Sequence, residues 1–180
     1  MDLEHKFCRL GADVTVRDGT RIEGYASFFG ACDQGGDVVQ PGAYAASLKS
    51  LLAEGRAVRM LWQHDPAQPI GVWDEVREDA RGLWVKGRIL DTVEKGREAA
   101  ALIAAGAIDG LSIGYRTVKA AKDERGRRLL KELELWEVSL VTFPMLPSAR
   151  VAAKGDSPDD ACLRELAMAL EGARLNLAGG

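Results

Sequence analysis

The longest strand-like stretch in the sequence, residues 129–143, places the tightest limits on how the chain folds. Side chains alternate faces along a strand. Leu133, Leu135, Glu137, Ser139 and Val141 therefore share one face, with Trp136, Val138 and Leu140 on the other. Beyond Leu135 both faces are largely apolar, so both need cover and Glu137 is expected to be substantially buried. An unpaired buried carboxylate costs several kcal/mol, so Glu137 needs a partner. Arg59 or Arg116 would serve in a purely structural reading. Glu132 and Glu134 fall on the opposite face, nearer the charged turn at 122–127, and are expected to be solvated.

The rest of the chain reads as short strands with two intercalated helices. Val14 and Val16, then Ile22, Tyr25 and Phe28, flank an Asp18-Gly19 turn and form a hairpin pattern. Residues 30–42 are rich in Gly, Asp and Gln and predict a long loop. Residues 43–54 have helical spacing, stopped at Gly55, and residues 93–105 do the same before Gly106. Strands are expected at 57–64, 73–77, 83–90 and 108–120, with a turn at Asp65-Pro66. This is not a regular βαβ series, which argues against a doubly wound sheet. The expected class is α+β: a mainly antiparallel β-barrel, closed or nearly so, with the helices outside. A composition change after Arg150 divides the chain into a domain at 1–153 and, at 154–180, a polar linker followed by an amphipathic helical tail.

Several function classes are disfavoured. The net charge of −3 is spread along 180 residues with no basic stripe, so nucleic acid is not an expected partner. No apolar run approaches the ~20 residues of a spanning helix, and residues 1–6 lack the apolar core of a secretory signal. Three cysteines, Cys8, Cys32 and Cys162, are widely spaced and suit a reducing, cytoplasmic setting. The two histidines, His5 and His64, have no partner at zinc spacing, so neither a metal nor another cofactor is expected.

Three positions break the pattern. His64 ends the otherwise apolar face of Val58, Met60 and Trp62. Ser112 shares its face with Gly110 and Gly114, which clear space above its hydroxyl. Glu137 is the buried carboxylate. Separately, each has a bland reading as a core histidine, a routine strand serine and an ion-paired acid. Together they are a nucleophile, an imidazole base and an orienting carboxylate. The run Gly110-Leu111-Ser112-Ile113-Gly114 also matches the elbow of α/β-hydrolases. In that fold the histidine follows the serine, and none follows Ser112 here, so an esterase of that kind is rejected on chain order.

Four ordered blocks carry a further signal. They are Gly24-Tyr25-Ala26 with residues 36–44, Leu61-Trp62-Gln63-His64-Asp65-Pro66 with Pro69-Ile70-Gly71, residues 106–115 around Ser112, and residues 135–144 around Glu137. The sequence resembles the HK97-type prohead protease family in these blocks, and that family's fold resembles the herpesvirus assemblin proteases. The resemblance implies a serine endopeptidase with His64 as general base and Ser112 as nucleophile. Glu137 is the best candidate for the third member, where assemblin-like enzymes place a second histidine, and Asp65, Asp109 and Glu134 stay open as substitutes. It further implies action inside an immature capsid in the host cytoplasm, for a phage, a prophage or a gene transfer agent. The protein substrate would be the major capsid protein or its scaffold segment, and the enzyme's own tail is a further target. A homodimer stays open. The rival is a non-catalytic capsid-assembly or scaffolding protein with the same fold.

Overall fold

The strand that is apolar on both faces is held on both edges. In the computed structural model, which describes residues 4–6, 14–17, 20–33, 35–142 and 151–152, this is β9 (Arg128–Val141). The strand β8 (Gly110–Lys122) pairs with it antiparallel along one edge. Two short strands share the other edge, both parallel: β4 (Asp37–Val39) at its start and β5 (Arg59–Trp62) near its end. Asp37 and Arg128 tie β4 down, with Nε donating to Oδ1 at 2.8 Å and Nη2 to Oδ2 at 2.6 Å.

Beyond β5 the sheet continues antiparallel through β6 (Asp65–Glu78), β7 (Gly82–Ile89), β3 (Arg21–Phe28) and β2 (Val14–Arg17). It ends with β10 (Val151–Ala152), parallel to β2, while β1 (Glu4–Lys6) pairs antiparallel with the outer edge of β8. The hairpin of β2 and β3 falls where the sequence placed it. Two expectations are corrected. Three ladders are parallel, so the sheet is mixed, and among the described residues it is an open path from β1 to β10. The expected loop at 30–42 contains β4, because Val38 and Val39 find both a core to fill and an edge of β9 to pair with.

Both helices form as the spacing predicts: α1 (Ala45–Ala53) and α2 (Glu94–Ala104). Each ends in a Schellman motif. Gly55 (φ +64°) donates to Leu52 O while Arg56 donates to Leu51 O. Gly106 (φ +71°) and Ala107 donate likewise to Ile103 and Leu102. The left-handed conformation there is the one glycine adopts without penalty. The core joins Met60, Ile70, Trp73, Ile113, Val138 and Leu140 in one cluster. Inside it, Trp73 Nε1 donates to the Val138 carbonyl at 3.2 Å.

The face assignment for β9 changes at one point. Gly114 pairs with Glu137 but the next residue, Tyr115, pairs with Leu135, leaving Trp136 as the extra residue of a β-bulge. Leu133 and Leu135 thereby join Val138 and Leu140 in the core, while Glu137 and Ser139 face the other way. The tail at 154–180 lies outside the described residues, as do Cys8 and Cys162.

Candidate active site

The histidine is placed by a strained turn. Trp62 pairs with Asp65, so Gln63 and His64 form a two-residue hairpin loop between β5 and β6. Both are left-handed, with φ of 52° and 63°. A two-residue loop needs this geometry to match the strand twist, and it ordinarily selects Asn-Gly. The expected turn at Asp65-Pro66 is therefore corrected: those residues open β6. Asp65 instead accepts hydrogen bonds from Gln68 Nε2 at 2.5 Å and the Ala67 N–H at 2.8 Å. These hold its carboxyl below the usual carboxylate range.

Left-handed non-glycine residues persist only where their surroundings over-determine them. Here the end of β9 does so. The Gln63 N–H donates to the Leu140 carbonyl at 2.9 Å. The Gln63 amide donates to Thr142 Oγ1 at 2.6 Å and accepts the Thr142 N–H at 3.3 Å. The His64 N–H donates to Ser139 Oγ at 3.2 Å.

His64 Nδ1 lies 2.6 Å from Glu137 Oε1, the two side chains being 15% and 4% exposed. Opposite a carboxylate acceptor, Nδ1 is the protonated ring nitrogen. The other carboxylate oxygen, Oε2, accepts the Ser139 hydroxyl at 2.5 Å. The structural partners considered for Glu137 do not take that place: Arg116 pairs with Glu134, through Nε at 2.8 Å and Nη2 at 2.5 Å, and Arg59 is exposed. Of the substitutes, Asp65 and Glu134 are thus engaged elsewhere, and the carboxylate on the ring belongs to Glu137.

Ser112 lies on β8 directly across from Ser139, and Gly114 directly across from Glu137. Leu111, Ile113 and Tyr115 point into the core, so Ser112 and Gly114 share the other face with Glu137 and Ser139. The absent side chain of Gly114 is what admits the carboxylate: a methyl there would lie 2.7 Å from Glu137 Cδ and 2.9 Å from Cγ. Ser112 is fully buried, and its Oγ has no hydrogen-bond partner among the described residues. The structure therefore assembles His64 with Glu137 and sets Ser112 in the neighbouring register, without a closed serine–histidine hydrogen bond. Such bonds are often long without substrate and tighten in its complex.

The sequence reading gave no role to Ser139, Gln63 or Thr142. The one available signal was Ser139 at i+2 from the buried acid, on the same face. Two cavities of about 460 and 520 Å³ lie against α1, and neither is lined by His64, Ser112 or Glu137. Among the described residues no cluster of three or more His, Cys, Asp or Glu could hold a metal ion, and no helix is long and apolar enough to cross a membrane.

Comparison with known proteins gives this geometry a setting. The sequence profile described as "Caudovirus prohead serine protease" matches residues 11–161. The prohead protease of Enterobacteria phage HK97 is 34% identical over 138 residues, which are 73% of this chain and 59% of that protein. The prohead protease of Escherichia phage T5 is 30% identical over 134 residues, 73% of this chain and 62% of that protein. The chain thus spans about three fifths of the length of these relatives. Among solved structures, the capsid assembly protease of bacteriophage T4 superposes with a TM-score of 0.61 at 17% identity, covering 79% of this chain and 98% of that one. That likeness concerns the fold alone.

Proposed function

Because this chain belongs to the caudovirus prohead serine protease family, we propose that it is a serine endopeptidase that processes the major capsid protein or its scaffold segment inside an immature capsid. The observation that carries this reading is the 2.6 Å contact of His64 Nδ1 with buried Glu137, in register with Ser112. A serine hydroxyl is a poor nucleophile near neutral pH and needs a base to take its proton. Glu137 fixes the tautomer with the proton on Nδ1, so Nε2 carries the lone pair that accepts it. Ser112 Oγ then attacks the scissile carbonyl, and the proton taken by Nε2 passes to the leaving amine. Water, deprotonated by the same ring, hydrolyses the acyl-enzyme and restores Ser112. As imidazolium forms, the carboxylate stabilises it at close range in a site largely closed to solvent.

Co-expression with the major capsid protein tests the reading, with wild type beside Ser112→Ala and His64→Ala and capsid-protein mass as the readout. Loss of a triad member costs roughly 10⁴-fold or more, so the wild type should shorten the capsid protein and both variants leave it intact. Full-length capsid protein in all three, with shells still assembling, would favour the scaffolding role instead.

A further inference from the structure

We propose that Ser139 is a positioning residue of this site, one hydroxyl that fixes both the orienting carboxylate and the main chain of the catalytic histidine. The inference rests on the triad reading above and deepens it. A serine hydroxyl has one proton to donate and lone pairs to accept with. In this structure the proton goes to Glu137 Oε2 at 2.5 Å, and the oxygen receives the His64 N–H at 3.2 Å. Ser139 is fully buried on the central strand, between Val138 and Leu140, which are buried as well. An unpaired hydroxyl there would be costly, and both of its functions are used on the site.

The geometry explains why two anchors are needed. The terminal torsion of a glutamate is broad and roughly two-fold, so a carboxylate held only through Oε1 is free to swing about that bond. Tying Oε2 to the strand that carries Glu137 itself fixes the plane in which Oε1 meets Nδ1. The histidine has the converse problem, since its backbone sits in a strained turn at φ 63°. The same oxygen that orients the acid pins the His64 N–H, so the imidazole is referenced to β9 at both its main chain and its ring. Ser139 also pairs directly with Ser112 across the ladder, so the residue that anchors His64 and Glu137 lies opposite the nucleophile on the β8–β9 pair. It touches neither the substrate nor the proton in flight, and it acts through Glu137 and His64.

The test measures the rate at which a fluorophosphonate probe modifies Ser112, read by intact mass, since this reports activation of the nucleophile without needing the cleavage sequence. Ser139→Ala should label about 10–100-fold more slowly, the range expected for a misplacement of up to ~1 Å. Ser139→Cys keeps the packing but offers only a weak donor, and it should fall in the same range. The discriminating arm is the cycle with Glu137→Ala, labelled for longer at higher probe concentration. If Ser139 acts in part by positioning the carboxylate, Ser139→Ala should cost several-fold less in that background, where only the His64 main-chain bond remains to be lost, because residues that act as a unit are strongly non-additive. An equal cost in both backgrounds would leave Ser139 no part in orienting the carboxylate and overturn the proposal. So would wild-type labelling rates in folded Ser139→Cys. A wild-type protein that neither labels at Ser112 nor cleaves capsid protein would overturn the triad reading itself, which is a different outcome.

Discussion

Gly114→Ala isolates the role of the carboxylate without replacing any member of the proposed triad. Gly114 has no left-handed backbone requirement, so alanine is conformationally acceptable there; the nearest obstacle is Glu137. The added methyl would sit 2.7 Å from Cδ and 2.9 Å from Cγ, where carbon atoms prefer about 3.5–4.0 Å. Relieving that overlap requires the Glu137 side chain to move by roughly 1 Å. Oε1 meets Nδ1 at 2.6 Å and Oε2 meets Ser139 at 2.5 Å, so a shift of that size breaks one or both bonds. The cost should lie between ~10²-fold, for a misplaced group, and ~10⁴-fold, for a lost orienting acid. The assay is the rate of fluorophosphonate modification of Ser112, with a thermal melt to confirm folding. Gly114→Ala in the Glu137→Ala background should change little, since the methyl then enters vacated space. A Gly114→Ala protein that labels within about 3-fold of wild type would refute the reasoning, because a displaced Glu137 would then be irrelevant to the base.

Two further outcomes follow from the turns. Gln63→Ala and Gln63→Gly both lose the paired hydrogen bonds to Thr142, but only alanine keeps the left-handed penalty of ~1–2 kcal/mol. Urea unfolding should therefore rank the glycine variant above the alanine variant, and the opposite order would show that the φ of 52° carries no strain. Asp79, after β6, is pushed up by partial burial but pulled lower by more than that through hydrogen bonds from Tyr25, the Arg81 N–H, Arg77 and the Gly82 N–H. Its stabilisation is therefore complete above the unfolded carboxyl value of about 3.9 and is lost as the pH falls through the lower folded value. Asp79→Asn should lower the melting temperature near neutral pH, with the gap to wild type closing below about pH 4; a gap that widens in acid would contradict the assignment.

The candidate site was legible where its residues conflict with their surroundings. A glutamate inside an apolar strand must be buried and partnered, and Glu137 is both. Two glycines around Ser112 imply cleared space, and Gly114 supplies it to the carboxylate opposite. The helix stops were equally plain, since Gly55 and Gly106 leave a direct mark on the sequence. What stayed hidden depends on pairing between distant segments. The bulge at Trp136 moves Leu133 and Leu135 to the face opposite Glu137, and strict alternation has no means of showing one extra residue. The turn at Gln63-His64 is disguised because it lacks the Asn-Gly signature, its strain being held by Leu140, Thr142 and Ser139 about eighty positions along the chain. Asp65-Pro66 looked like the turn because it carries turn residues, yet it begins a strand.

The parallel ladders, which the sequence did not suggest, are a condition of the site. β5 runs beside β9 in the same direction, with Arg59 against Glu137 and Trp62 against Leu140. The chain therefore leaves β5 near the end of β9, and a two-residue reversal returns His64 over Ser139 and Glu137. Had the same residues paired antiparallel, Trp62 would lie against Glu137 and the turn would point back towards Leu135 and the charged turn at 122–127. The histidine would then be carried away from Ser139, and so from Ser112 directly across the ladder. A fully antiparallel barrel could contain these strands and this core, but with β5 reversed it would separate His64 from Ser112. The mixed topology and the geometry of the proposed site are thus one structural requirement, and the direction of a four-residue strand decides it.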